Sequence, residues 1–405
     1  MPRLQEALAD TPAVLITGPR QSGKTTICLS FAESERRRFL TLEDGLTFAA
    51  AATDPDEFLA SVQGPVVIDE VQRVPDLFRA LKRAIDRNRE PGRFLLAAST
   101  SVPALARAAE SLAGRLDVHQ LWTLSQNELE HRCGGFVDDL FATSPPRSSG
   151  PAVSRQALVE RVCRGGYPEV QGRVSTDRRQ AWFTSYVTEV VQRDIRDLAH
   201  IEGLTAIPRL LSTLAARPGS ILNIADLGRI LALSYSTLQR YLSLLEAVGL
   251  IRLMPAWALT GGRTRLMKAP RLMITDTGLA AHLAGSDVDT FRQDPASFGP
   301  LLENFVAMEL ERQCSWSTNR ARLSHFRSYA AREVDLVLER ANGNIIGIDV
   351  KAGTVGEPDF AGLRTLAELA GHRFKRGIVL HTGSETQPFG KNLWALPVSA
   401  LWSVS

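Results

Sequence analysis

At 405 residues the chain exceeds what one hydrophobic core normally supports, so two or three domains are expected. Hydrophobic residues at 44% and charged residues at 22% describe an ordinary globular protein. A formal net charge of +3 is too small to imply a nucleic-acid partner by itself, so any basic surface has to be local.

The opening segment MPRLQEALAD lacks the apolar core of a signal peptide, and no stretch reaches the ~18 uninterrupted apolar residues of a membrane span. A soluble, cytoplasmic protein with no membrane partner is the expectation. Cys28, Cys133, Cys163 and Cys314 stand far apart without C-x-x-C spacing, which points to free buried thiols rather than zinc or disulfides.

Residues 1–145 alternate apolar runs with helical patterns, as a parallel sheet flanked by helices does. Candidate strands are Ala13 to Thr17, Phe39 to Leu42, Pro65 to Asp69, Phe94 to Ala98 and Val118 to Thr123. The first runs into Gly18, Pro19, Arg20, Gln21, Ser22, Gly23, Lys24 and Thr25, the phosphate-binding pattern G-x-x-x-x-G-K-[ST], with Thr26 next on the following helix. Backbone N–H groups of such a loop cradle anionic oxygens, and glycine is needed at both ends. Lys24 is expected to reach the β- and γ-phosphates of ATP, and Thr25 to place its hydroxyl on Mg²⁺.

The run Val66, Val67, Ile68, Asp69, Glu70 supplies the second half of the site. Asp69 supports the metal, and Glu70 has the position of a general base that orients the attacking water. Glu70 beside Asp69, and a strand, Phe39 to Leu42, between the two nucleotide motifs, point to the ATPase branch of P-loop proteins rather than the GTPase branch. After Phe94 to Ala98 come Ser99, Thr100 and Ser101, where a polar side chain either senses the γ-phosphate or caps the next helix. Arg115, in SLAGR, is a candidate arginine finger or sensor, or a plain surface arginine.

Residues 141–151, FATSPPRSSGP, read as a linker or exposed loop, and a helical region follows over Arg155 to Ala216. Asn223 then caps a short helix carrying Ile224, Leu227 and Leu231 on one face, and a turn at Ala232 to Ser234 leads to a second helix, Tyr235 to Ala247, ending at Gly249. With a strand after it and another at Leu272 to Ile274, this unit reads as a winged helix. Arg263, Arg265, Lys268 and Arg271 fall on or near the wing, within reach of nucleic-acid phosphates. The would-be recognition helix exposes Ser234, Ser236, Thr237, Gln239 and Arg240, so DNA contact and a plain packing role both stand open.

In the last part of the chain Glu333 to Glu339 and Ile345 to Lys351 alternate with period two around Asn342 and Gly343, an antiparallel hairpin. A two-residue turn places Asp335 opposite Val350. A three-residue loop with Gly343 left-handed places it opposite Asp349, and also pairs Val334 with Val350, Leu336 with Ile348 and Leu338 with Ile346 in one apolar face, so burial selects it. The other face then gathers Asp335, Asp349 and Lys351. Like charges there are costly unless a cation bridges them, which suggests Mg²⁺ on Asp335 and Asp349, with Glu303 adding a ligand from a helix and Lys351 acting on water or on the phosphorane. A solvated sheet face with a salt bridge is the competing reading.

The spacing of Asp335 from Asp349-x-Lys351, after the Glu303 helix, resembles the PD-(D/E)xK nuclease superfamily, although the commoner E-x-K is here D-x-K. Taken with GPRQSGKTT, VVIDE, SLAGR, RGGYPEV, the RDI within Val191 to Leu198, ITDTGLAAHL, LLENFVAMEL and GIDVKAG, nearly the full chain resembles the bacterial and archaeal AAA-type ATPases that carry a C-terminal domain of unknown function. That resemblance implies an α/β protein: a P-loop parallel-sheet ATPase domain over 1–145, a helical and winged-helix region over 146–285, and a restriction-endonuclease-like α/β domain over 286–405. It implies ATP and Mg²⁺ as cofactors, and DNA or RNA and a homo-oligomer as partners. The family's usual T-G-S after the fourth strand is replaced by Ala97, Ala98, Ser99. Two readings of function follow: an ATPase coupled to a nuclease-like module acting on nucleic acid, or an ATP-switched DNA- or protein-binding regulator whose C-terminal domain does not cut.

Overall fold

Five apolar runs build the first sheet: β1 (Ala13–Thr17), β2 (Arg38–Thr41), β3 (Val66–Asp69), β4 (Phe94–Ala98) and β5 (Leu116–Gln120), all parallel, in the order β2-β3-β4-β1-β5. Every residue of β1, β3 and β4 is buried, which is why these strands read as continuous apolar runs. Alternate residues feed the two faces. Leu15, Ile68 and Leu96 join Phe58, Phe78 and Leu81 on one side, while Ile16, Val67 and Leu95 join Leu8, Cys28 and Phe31 on the other.

The strands fall where sequence places them, with three shifts, the second strand running Arg38–Thr41 rather than Phe39 to Leu42. The third starts at Val66, since Pro65 has no N–H to give a ladder. The fifth runs Leu116–Gln120 rather than 118–123, because at Leu121 the chain closes over the phosphate-loop glycine: Leu121 N–H donates to Thr17 O at 2.7 Å.

In this computed structural model the described residues are 2–99, 112–132, 134–142, 152–196, 205–258, 269–328 and 332–403. Thr100, Ser101, Cys133, Arg263, Arg265 and Lys268 lie outside them. The chain divides into two compact units: Met1–Thr123 with Gln192–His200 and Ser243–Leu250, and Leu124–Val191 with Ile201–Leu242 and Ile251–Ser405. No described helix is long and apolar enough to cross a membrane.

The second unit holds a six-stranded mixed sheet of β8 (Arg322–Arg327), β9 (Glu333–Glu339), β10 (Ile345–Lys351), β11 (Phe374–His381), β12 (Gln387–Gly390) and β13 (Leu393–Pro397), ordered β12-β13-β11-β10-β9-β8. A two-stranded antiparallel ribbon, β6 (Ile251–Met254) and β7 (Arg271–Ile274), follows the helix pair Ile224–Leu231 and Tyr235–Ala247. The Asn223 side chain caps the first of these helices by accepting from Asp226 N–H at 3.1 Å.

Buried polar side chains tie this unit together at the motifs noted above. Asp276, fully buried in ITDTG, accepts from Gly166 N–H of RGGYPEV at 2.7 Å and from Leu279 N–H at 3.1 Å, so one carboxylate caps the helix Thr277–Leu283 and fixes a turn far away in sequence. Asn304, in LLENFVAMEL, holds both backbone groups of Ile274 at 2.8 Å. Tyr167 and Tyr186 share a buried hydroxyl pair at 2.8 Å beside Trp182.

The hairpin keeps the register that burial selects: Ile348 pairs with Leu336 and Ile346 with Leu338, and Gly343 is left-handed at φ +79°. The ladder stops there. Ser324 pairs with Val337 but Phe326 with Val334, so β9 carries an extra residue, a bulge at Asp335 and Leu336. The expected single apolar face is therefore corrected: past the bulge Val334 turns to join Val337, Leu363 and Leu366 in one cluster instead of continuing the face of Leu336 and Leu338.

Candidate nucleotide site and acidic cluster

The phosphate loop sits between the end of β1 and the helix Lys24–Ser34. A Cβ on Gly18 would lie 2.1 Å from Leu121 O, so only glycine lets the loop pass beneath that carbonyl. Gly23 has φ +100°, with open space where a side chain would stand. Lys24 is buried and its ammonium donates to Gly18 O at 3.0 Å and Pro19 O at 2.7 Å, folded back on the loop's own carbonyls. Burial pulls its pKa down to about 8, against the opposing pull of Glu70, Asp69 and Asp194. The Ser22 hydroxyl is buried without a partner, while Thr25 and Thr26 stand exposed at the helix start.

Across the sheet Asp69 ends β3. Its Oδ2 accepts from the Thr25 hydroxyl at 2.8 Å and its Oδ1 from Glu70 N–H at 3.0 Å. Burial raises its pKa, and the Thr25 hydrogen bond opposes the rise. Glu70 is left-handed at φ +59°, and its two carboxylate oxygens are held separately, Oε1 by the Ser99 hydroxyl and Oε2 by the Gln72 amide. β4, which brings Ser99, lies between β1 and β3 in the sheet. Arg20 pairs with Asp194 at 3.3 Å, the aspartate lying in the π-helical turn Val190–Ile195.

The acidic cluster of the second unit is built differently from the metal arrangement expected. Asp335 and Asp349 take over backbone hydrogen bonds where the ladder ends: Asp335 N–H donates to Asp349 Oδ1 at 2.9 Å, and Val350 N–H to Asp335 Oδ2 at 3.0 Å. Arg271 of β7 is buried rather than facing phosphate on a wing, and its guanidinium lies 3.1 Å from Asp335, 3.7 Å from Glu303 and 3.7 Å from Glu333. Lys351 points to Asp359, at 3.6 Å. Burial, then the Asp335 charge, push Glu303 up to about 7 and Asp349 well above the carboxylate range. Among the described residues no group of three or more His, Cys, Asp or Glu is placed to hold a metal ion.

Three family models match the chain. Residues 10–130 match the AAA domain, 155–290 the domain of unknown function DUF8612, and 298–401 the domain of unknown function DUF4143. The N-terminal region is a P-loop ATPase-like α/β domain. An uncharacterized protein of Mycobacterium bovis and one of Mycobacterium tuberculosis are each 28% identical over 399 residues, covering 98% of this chain and 83% of the relative. Among solved structures, the Walker-type ATPase PABY2304 of Pyrococcus abyssi is similar at 14% identity and TM-score 0.39, over 70% of this chain and 93% of that one. The RuvB Holliday junction branch migration motor of Thermotoga maritima is similar at 17% identity and TM-score 0.30, over 63% and 88%.

Within this ATPase-like domain Arg115 stands away from the phosphate loop. Its carbonyl accepts from Ala13 N–H at 3.2 Å, level with the start of β1, whereas the loop begins at the other end of a strand spanning about 13 Å. Its guanidinium pairs with Asp86 at 2.6 Å. Gln72 and Asp194 are site residues to which the sequence assigns no role, whereas Arg271, expected on a wing, belongs to the acidic cluster. Gln72 lay two positions from Glu70 and Asp194 inside the RDI segment, so proximity to a motif was their only signal.

Proposed function

We propose that the chain binds ATP with Mg²⁺ and hydrolyses it. The supporting observation is the Thr25–Asp69 hydrogen bond of 2.8 Å beside an unpartnered Ser22 hydroxyl and the left-handed Gly23, with open space where its side chain would stand. In this reading the backbone amides of Arg20, Gln21, Ser22, Gly23 and Lys24 receive the phosphate oxygens, with Thr26 one turn on. Lys24 exchanges the carbonyls of Gly18 and Pro19 for phosphate. Thr25 and Asp69 hold Mg²⁺, which when bound withdraws charge from the phosphates. Glu70, aimed by Ser99 and Gln72, accepts the proton of the attacking water. Arg115 contributes only across a homo-oligomer contact, since within one chain it lies at the far end of the sheet.

The region 146–285 is proposed as a helical and winged-helix module that presents Ser234, Tyr235, Ser236, Gln239 and Arg240, all exposed, to a DNA or RNA backbone. For the nuclease-like domain proposed over 286–405, the Arg271 ion pairs favour the non-cutting reading: the Asp335, Asp349 and Glu303 carboxylates do not form a fit for Mg²⁺ as arranged. The protein would then be an ATP-switched, nucleic-acid-directed binder. ATP turnover measured with and without DNA or RNA tests this. Stimulation by nucleic acid, lost in Arg240→Ala, supports it. Turnover indifferent to both nucleic acids contradicts it.

A further inference from the structure

Glu303 on the helix Phe298–Trp316, Glu333 and Asp335 on β9, and Asp349 on β10 converge from three elements. Carboxylates gathered in this way stay together only around positive charge or by taking up protons. The buried positive charge in their midst is Arg271, whose side chain is 6% exposed and lies within salt-bridge distance of Glu303, Glu333 and Asp335, while Arg327, 36% exposed, reaches Glu333 at 3.8 Å from outside. Lys351 is not a rival for that place, being 44% exposed and turned to Asp359.

The guanidinium is delivered by a rigid piece of backbone. Arg271 pairs with Met254 across the ribbon and bridges to Ile221, and three residues on the Asn304 amide clamps Ile274. An arginine keeps its charge at any working pH, so one positive charge is always present among these carboxylates. A divalent ion needs carboxylate oxygens at roughly 2.0–2.6 Å around an empty centre, and here that centre holds a cation already. Two of the remaining oxygens are committed to backbone amides, Asp335 Oδ2 to Val350 and Asp349 Oδ1 to Asp335.

We propose that Arg271 is the resident cation of this cluster and stands in the place of a divalent metal, so that the folded C-terminal domain takes none and acquires a site only when Arg271 is removed. The proposal goes beyond the reading of the ATPase-like domain and does not depend on it. The test is Mn²⁺ titration of the full, nucleotide-free chain, with free Mn²⁺ followed by its electron paramagnetic resonance signal. Arg271→Met is expected to bind one more Mn²⁺ per chain than the parent, and the added ion is expected to disappear in Arg271→Met with Asp349→Asn. Folded Arg271→Met with no gain in Mn²⁺ overturns the proposal. If Arg271→Met does not fold, the parent decides: Mn²⁺ binding unchanged by Asp349→Asn supports the proposal, and a site lost on that substitution overturns it. Because no nucleotide is present, failure here leaves the ATP reading untouched, and failure of ATP binding leaves this result standing.

Discussion

The Thr25 hydroxyl donates to Asp69 Oδ2 at 2.8 Å across 44 positions of sequence. That contact joins the helix behind the phosphate loop to the end of β3, one strand removed from β1, and it places the two groups that would share a metal in each other's reach before any ligand arrives.

Thr25→Ala removes this donor and a metal ligand together. The expected result is an ATP affinity about 10-fold weaker with Mg²⁺ present and little changed without it, as read by titration calorimetry in the two conditions. An equal loss in both would make Thr25 a loop-packing residue.

Glu70→Gln keeps the shape of the side chain while removing its basicity. ATP binding should persist and turnover should fall by about 10²-fold or more. Ser99→Ala, which frees one oxygen of Glu70, should cost turnover less than that and leave affinity unchanged. Steady-state hydrolysis and fluorescent-nucleotide binding separate the two effects.

Burial holds Lys24 near a pKa of about 8 in the ligand-free protein, and phosphate needs the ammonium form. Affinity for ATP should therefore fall as pH rises through about 8, and binding above that pH should draw a proton from the buffer. Calorimetry at pH 8.5 in buffers of different ionisation enthalpy measures that uptake. A flat affinity and no uptake would show that Lys24 carries its proton throughout.

Asp276→Ala should destabilise the second unit by about 2–4 kcal/mol, since it strips a helix cap and leaves the Gly166 N–H buried without an acceptor. Urea unfolding reads the change. Asp276→Asn, which keeps an acceptor oxygen, should recover part of it.

The parallel strands and the phosphate loop were legible because each rests on a local pattern: an apolar run, then glycines at fixed spacing. The hairpin register was legible from burial alone, through Leu336 and Leu338 facing Ile348 and Ile346. The bulge at Asp335 was not, because it is decided by the pairing of β9 with β8, where Phe326 meets Val334. Read from its own segment, Arg271 falls on a phosphate-facing wing, for a related reason. Its partners Glu303, Glu333 and Asp335 lie on elements far along the chain, and no spacing within its own segment announces them. Arg115 sits in a recognisable motif, yet strand direction carries it to the opposite end of the sheet from the phosphate loop.

The central claim is that the loop at Gly18 to Thr25 grips a triphosphate and that Asp69 and Glu70 turn the grip into hydrolysis. Phosphate release from ATP by the purified chain, with Mg²⁺ and with EDTA, beside Lys24→Ala, tests it most directly. Metal-dependent release that Lys24→Ala abolishes is the expected result, whereas release independent of Mg²⁺, or equal in the parent and in Lys24→Ala, would contradict it.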